Sequence, residues 1–122
     1  MARRVLLFDG SMGATIQNMD LDVERDYLGR ENCVDVLVRS RPDLVLGIHD
    51  AYLAAGADAV ETDTFGASPL TLGEFDAELA GWAYELNREA VALAREACAR
   101  HRTADKPRFV VGSLGPGTKL VS

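Results

Sequence analysis

Three short apolar runs, each followed by glycines or small polar residues, constrain the fold of this chain more than any other feature. They cover residues 5–8, 57–62 and 108–112. Each run is continuous rather than alternating, which is typical of strands that are covered on both faces. Because helical patterns fill the gaps, we predict parallel strands joined by right-handed crossovers. This α/β pattern fits both a doubly wound sheet and a (β/α)₈ barrel.

The stretches between the apolar runs contain sequence patterns that are typical of helices. One helix is predicted to begin at Pro42 and to end at Gly56, where glycine provides a left-handed stop. A longer helix is predicted from about residue 78 to residue 101, with small apolar side chains along one face. Ser68 and Pro69 have the order of a cap and a first helical residue. Residues 18–39 are less regular and predict a long excursion after the first strand.

Composition excludes several classes of protein. The net charge of −6 argues against a nucleic-acid surface, which needs clustered lysine and arginine. The first apolar run is too short for a signal peptide, and no window approaches the ~20 apolar residues of a membrane span. We therefore expect a cytoplasmic location. The two cysteines, Cys33 and Cys98, lack the spacing of a zinc motif and are expected to be buried free thiols.

The end of the second apolar run is the strongest candidate site. Glu61, Thr62, Asp63 and Thr64 stand side by side there, and ligands of parallel α/β sheets bind at the carboxyl ends of strands. Alternation sends Glu61 and Asp63 to one side and the threonines to the other. Two nearby carboxylates could bind an ammonium group or perform acid–base chemistry. Alternatively, Asp63 or Thr64 caps the following helix.

The other two run ends offer weaker candidates. Residues 9–13, with Asp9 followed by Gly10, could bring the backbone close to a ligand, or Asp9 could simply cap the next segment. A phosphatase of the haloacid dehalogenase type is excluded because its nucleophile position is occupied by Leu7. The Gly-Pro-Gly loop within residues 112–119 could contact a substrate carboxylate or only turn the chain. The two histidines, His49 and His101, are expected to be packing or helix-surface residues.

Taken together, these segments resemble homocysteine S-methyltransferases. Residues 7–17 are similar to the opening strand of that family, and residues 41–43, 48–58 and 61–65 resemble its next block. Residues 106–116 match its third strand. The resemblance covers essentially the whole chain without large gaps. Within the family it is strongest to the N-terminal homocysteine-binding domain of the cobalamin-dependent methionine synthases.

The resemblance implies a fold, a reaction and a set of partners. The family folds as a (β/α)₈ TIM barrel and transfers a methyl group to the sulfur of homocysteine, giving methionine. A zinc ion held by three cysteines lowers the pKa of the homocysteine thiol. In cobalamin-dependent members methylcobalamin is the methyl donor, and cobalamin- and folate-binding modules of the same or another chain are the partners.

The resemblance also assigns candidate substrate-binding residues. Asp9 and Gly10 match the substrate-contacting turn, and Glu61, Asp63 and Thr64 match the exit of the second strand. The last three are expected to contact the amino-acid end of homocysteine. The family commonly has asparagine at the position of Asp63, so the carboxylate here is a departure.

Length sets the expected extent of the barrel. A complete barrel of this type needs about 250 residues. Residues 1–122 are therefore expected to form a partial domain of about three βα units, truncated before the zinc-ligand strands. Cys33 and Cys98 do not match the zinc cysteines, so no catalytic or metal-binding residue is assigned and the isolated chain is expected to be inactive. The alternatives are a non-catalytic fragment that oligomerises through exposed sheet edges and an unrelated α/β binding domain.

Overall fold

A computed structural model describes residues 5–116 as a parallel α/β arrangement. The helices are α1 (Met12–Gln17), α2 (Leu37–Ser40), α3 (Pro42–Ala54), α4 (Pro69–Phe75), α5 (Ala77–Ala80) and α6 (Ala83–His101), with a 3₁₀ turn at Val34–Val36. The strands within these residues are β1 (Ala59–Glu61) and β2 (Phe109–Val111). None of the described helices is long and apolar enough to cross a membrane.

The strands pair in parallel, as predicted. Residue Ala59 of β1 is opposite Phe109 of β2, and Phe8 forms a parallel bridge to Ala59 on the other side. The first apolar run therefore lies beside β1, but only Phe8 makes a bridge, so the strand predicted over residues 5–8 is reduced to this one pairing. Hydrogen bonds from the Asp58 and Asp9 amides to carbonyls of the neighbouring segment hold it there, at 2.7 and 3.1 Å.

Helix α3 begins and ends as the sequence predicts. Proline occupies its first turn, and Gly56 has a φ of +112°, which side chains rarely tolerate. Two cations bind carbonyl groups at its carboxyl end. The Lys106 Nζ donates to the Gly56 carbonyl at 2.9 Å, and the Arg108 Nη1 donates to the carbonyls of Leu53 and Ala57, both at 2.7 Å. Positive charge is favourable at this end of a helix. Because Lys106 and Arg108 lie directly before β2, these hydrogen bonds connect the end of α3 to the start of β2.

The predicted helix over residues 78–101 is wrong in one respect, because it is split at Gly81. Glycine is a poor helix former, and the amides of Gly81 and Trp82 bond three residues back, to the carbonyls of Glu78 and Leu79. Helix α6 then runs uninterrupted to His101. The predicted cap at Ser68 is confirmed, since its side chain accepts a hydrogen bond from the Thr71 amide at 3.1 Å.

Small side chains let α6 pack closely on β1 and α3. Ala94 and Ala97 are fully buried in one cluster with Leu53 of α3, Val60 of β1 and the thiol-bearing Cys98. Both cysteines are buried free thiols, as predicted. His49 is also fully buried, which agrees with the predicted packing role.

The excursion predicted over residues 18–39 is held in place by a buried acid. The Asp26 side chain is fully buried and accepts hydrogen bonds from Arg25, from the Asp22 amide and from Arg41. These interactions, the Arg25 guanidinium first, hold the pKa of Asp26 down to about 2. The excursion is therefore held in a fixed position, and the 3₁₀ turn within it lies near the carboxyl ends of the strands.

Candidate functional site

A cavity of about 480 Å³ lies at the carboxyl end of β1. Its walls come from the turn before α1, the 3₁₀ turn and the segments that follow the two strands. The lining residues are Asp9, Gly10, Ser11, Met12, Gly13, Val34, Glu61, Thr62, Asp63, Phe65 and Ser113. Four of the five predicted substrate-binding residues thus meet here, and three of those four are acids.

Asp9 is fixed by β1 rather than by the helix that follows it. Its Oδ1 accepts a hydrogen bond from the Glu61 amide at 3.1 Å, and its own amide donates to the Ala59 carbonyl at 3.1 Å. Partial burial raises the pKa of Asp9, while the hydrogen bond from Glu61 opposes that rise. The alternative in which Asp9 caps the next segment is wrong, because the Ser11 side chain caps α1.

Gly10 stands where the backbone passes close to Tyr52 of α3. A Cβ atom at this position would lie 2.5 Å from the Tyr52 hydroxyl, so a side chain would displace that tyrosine. The same hydroxyl lies 3.4 Å from the Thr15 hydroxyl on α1. Tyr52 therefore supports the turn that carries Asp9, and Glu61 stands exposed across the cavity.

Asp63 is the most deeply buried acid of the cavity. It is only 4% exposed, and its Oδ2 has no hydrogen-bond partner among the described residues. Burial raises the pKa of Asp63 well above its ordinary value, and the neighbouring charge of Asp35 raises it further. Asp35 is also buried, accepts a hydrogen bond from the Gly66 amide at 3.3 Å, and has its pKa raised by burial to about 6.

The two threonines join the segments that follow β1 and β2. The Thr62 and Thr64 hydroxyls are 2.6 Å apart, which agrees with the predicted alternation. Thr64 donates to the Ser113 carbonyl at 2.7 Å, and the Ser113 amide donates to Thr62 at 3.1 Å. Capping of the next helix by Asp63 or Thr64 is wrong, because Ser68 caps α4. Thr64 lies outside the lining of this cavity, and its predicted contact with substrate stays a prediction.

The segment that follows β2 contributes Ser113 to the cavity wall. Gly115 packs so closely on the Phe65 carbonyl that a side chain would displace the backbone there. This contact supports the interpretation of the Gly-Pro-Gly loop as a turn that fixes the chain. The remaining residues of the predicted loop, including Thr118 and Lys119, lie outside the described residues.

The described residues do not fit a zinc ion. Within residues 5–116 no three histidine, cysteine or acidic side chains are grouped so that they could hold a metal. Cys33 and Cys98 belong to separate core clusters. Burial raises the pKa of Cys33 to about 11 and also raises the pKa of Cys98, so both are neutral thiols of the core.

Sequence reasoning missed two residues that shape the site. Asp35 lies near enough to Asp63 for its charge to raise the pKa of Asp63, and Tyr52 packs against Gly10. The signal for Asp35 was present, because it is a single acid within the otherwise apolar run of residues 33–38. Aspartate is seldom buried without partners, so an acid in such a run predicts either an irregular turn that exposes it or a buried site that uses its carboxyl group. Tyr52 carried no comparable signal.

The comparison with protein families decides the assignment. The model described as homocysteine S-methyltransferase matches residues 6–122, which is nearly the entire chain. The chain belongs to the homocysteine S-methyltransferase family.

Relatives and solved structures agree with this family membership. The chain is 42% identical over 120 residues to a methionine synthase from Mycobacterium tuberculosis and 41% identical to one from Mycobacterium leprae. Each match covers 98% of this chain but 10% of the relative, so the chain spans about a tenth of the length of these relatives.

The fold also matches a solved member of the homocysteine S-methyltransferase family. That structure is the oxidized form of the homocysteine methyltransferase MmuM from Escherichia coli. The TM-score is 0.65 at 27% identity, and the match covers 91% of this chain and 37% of the other. The described residues are therefore the part of a TIM barrel that the sequence predicted, with parallel strands and α-helices between them.

Proposed function

We propose that this chain forms part of the homocysteine-binding barrel of an enzyme that methylates homocysteine to methionine. The observation that carries the proposal is the cavity at the carboxyl end of β1, in which Asp9, Glu61 and Asp63 meet. Carboxylates in a partly enclosed cavity favour a cationic group, and homocysteine carries an ammonium group at its amino-acid end. Family membership supports homocysteine as the ligand.

Each predicted binding residue has a role in this proposal. The half-buried Asp9 and the exposed Glu61 receive the ammonium group, because their carboxylates stand at the mouth of the cavity. Gly10 lets the turn that carries Asp9 pack against Tyr52, and Thr64 fixes the segment that carries Asp63.

The methyl-transfer chemistry extends beyond the described residues. Zinc would lower the pKa of the homocysteine thiol and methylcobalamin would supply the methyl group, but no described residue is assigned to either. Cobalamin- and folate-binding modules and a cytoplasmic location are part of the same proposal. We assign residues 5–116 the task of binding the amino-acid end of the substrate.

Asp9→Asn is expected to weaken homocysteine binding by about tenfold or more, because it removes a charge-assisted interaction worth about 1.5–3 kcal/mol. Asparagine keeps the oxygen that accepts the Glu61 amide, so the fold is retained. Titration calorimetry of the 122-residue chain with L-homocysteine measures the effect. Asp9→Ala is expected to weaken binding at least as much.

The matched control is Asp105→Asn, which changes an exposed acid in the loop before β2. It is expected to bind homocysteine as the unchanged chain does. Equal affinities of the Asp9 and Asp105 variants would contradict the assignment of Asp9. Absence of homocysteine binding by the unchanged chain would contradict the proposed function itself.

A second candidate is self-association through exposed sheet edges. It is favoured by apolar residues in or beside the strands that remain exposed to solvent. Their exposed fractions are 80% for Val5, 57% for Leu7, 53% for Phe8 and 46% for Phe109. Unpaired edges with apolar side chains favour pairing with another chain. Size-exclusion chromatography with light scattering is expected to show dimers or larger species if this candidate holds, and a monomer at every concentration would contradict it.

A further inference from the structure

The Asp63 carboxyl group is buried without the partners that a buried charge requires. It is 4% exposed, and its Oδ2 receives no hydrogen bond from any described residue. An isolated buried carboxylate is strongly disfavoured, and such a group normally takes up a proton instead. At the same time Asp63 forms part of the cavity wall, so its charge affects any ligand that binds there.

The titratable groups around Asp63 are all acids or neutral groups that ionise to anions. The charge of Asp35, on the 3₁₀ turn, acts on Asp63, and Cys33 and Tyr27, earlier in the same excursion, both interact with the charge of Asp63. Asp9 and Glu61 share the cavity with it. No lysine, arginine or histidine of residues 5–116 contributes to the pKa of Asp63.

The Asp35 carboxyl group packs directly against the backbone of Gly66. A Cβ atom on Gly66 would lie 2.9 Å from the Asp35 Oδ2, and the Gly66 amide donates to the other oxygen. That hydrogen bond is a long one, at 3.3 Å, so it offsets little of the cost of a buried charge. Two carboxyl groups that share a site cannot both ionise readily.

We propose that the Asp35–Asp63 pair holds one proton while the cavity is empty, and that a ligand ammonium group entering the cavity displaces this proton into solvent. This inference rests on the proposed function, because it concerns the same amino-acid ligand. No covalent bond of the ligand changes. One carboxylic acid becomes a carboxylate, the proton goes to the buffer, and the ammonium group replaces it as the positive charge.

The raised pKa values of both acids agree with this proposal. Since the proton and the ammonium group compete, binding of the ammonium group is expected to strengthen as pH rises. The limit is about tenfold in affinity for each pH unit over which a full proton is released. The effect should extend through neutral pH, where the ligand ammonium group stays charged.

Calorimetry with L-methionine isolates this effect, because L-methionine carries the same ammonium and carboxylate groups as homocysteine but has no thiol to titrate. Binding heats near pH 7 in buffers of different ionisation enthalpy give the number of protons released. We expect about 0.5–1 proton per ligand for the unchanged chain. The expected release is near zero for Asp63→Asn and for 4-(methylthio)butyrate, which has no ammonium group. Asp105→Asn is the control and is expected to release as many protons as the unchanged chain.

A second measurement tests the proton without any ligand. Carbon-13 NMR of aspartate carboxyl groups in the unliganded chain should show one proton on the pair at pH 7. Full ionisation of both acids, or equal proton release by Asp63→Asn and the unchanged chain, would overturn the inference. If the proposed function is wrong, no chain will bind the ligand at all. That result is distinct from binding without proton release, and it would contradict the proton displacement as well.

Discussion

The substitution Asp35→Asn is expected to stabilise the chain at pH 7 by about 3 kcal/mol more than it does near pH 4. Burial raises the pKa of Asp35 from 3.8 to about 6. Each pKa unit corresponds to about 1.4 kcal/mol, so ionising this carboxyl at neutral pH costs the folded state about two such units. The asparagine side chain of the variant cannot ionise, yet its oxygen can still accept the hydrogen bond from Gly66.

The direction of the pH dependence follows from the raised pKa. Between about pH 4 and pH 6 the folded chain holds the Asp35 proton and the unfolded chain has lost it. The carboxyl therefore contributes stability below its unfolded pKa, and this stability is lost as pH rises through about 6. The variant avoids that loss, and its advantage should grow across this interval and then level off.

Urea unfolding at pH 4, 5.5 and 7 measures the difference between variant and unchanged chain. Burial lowers the pKa of His49, but His49 is present in both chains, so its contribution cancels in the difference. Asp105→Asn, in an exposed loop, should show no such pH-dependent gain. A difference for Asp35→Asn that stays constant from pH 4 to pH 7 would contradict the burial of an ionisable Asp35.

The Asp35 and Asp63 effects should not be additive. Asp63→Asn also removes a buried acid, so it is expected to stabilise the chain at pH 7. The charge of Asp35 raises the pKa of Asp63, so removing that charge also lowers the cost of ionising Asp63. The double variant is therefore expected to gain less than the sum of the two single variants, which is the mark of interacting sites.

The sequence predicted the elements whose signals are local. Pro42, Gly56 and Ser68 mark helix ends through their own backbone geometry and hydrogen bonding, and the structure has these ends where the sequence placed them. The break at Gly81 was missed because the periodic stripe continues through it. A tight turn of three residues shifts the helix phase little, so Leu79 and Leu86 are buried on both sides of the break.

The first apolar run shows what local patterns leave out. Residues 5–8 have strand composition, but a strand is defined by its hydrogen-bonded neighbours, and only Phe8 makes a bridge among the described residues. The site shows the same limit. Asp9, Glu61 and Asp63 were found because they follow apolar runs. Asp35 belongs to the excursion, and it lies near Asp63 only because Asp26 fixes the position of that excursion. Such contacts between distant residues have no local signature.

Leu53→Ala is expected to lower the free energy of unfolding by about 2–5 kcal/mol. The Leu53 side chain is fully buried between α3, β1 and α6, against Val60, Ala94 and Ala97. Alanine neighbours cannot extend into the space that a shorter side chain leaves, so most of the cavity should persist. The loss then combines the transfer free energy of the removed carbons with the cost of that cavity.

The matched control is Leu70→Ala on α4, where the side chain is 39% exposed. The same atoms are removed there, but solvent and neighbouring groups already contact them, so the expected loss is below about 1 kcal/mol. Urea unfolding at pH 7 compares the two variants, and equal losses would contradict the packing of α6 on β1 through Leu53. Strand β1 ends in Glu61 and leads to Asp63, so loss of its packing should disturb the cavity. Homocysteine binding is therefore expected to weaken in Leu53→Ala and to remain unchanged in Leu70→Ala.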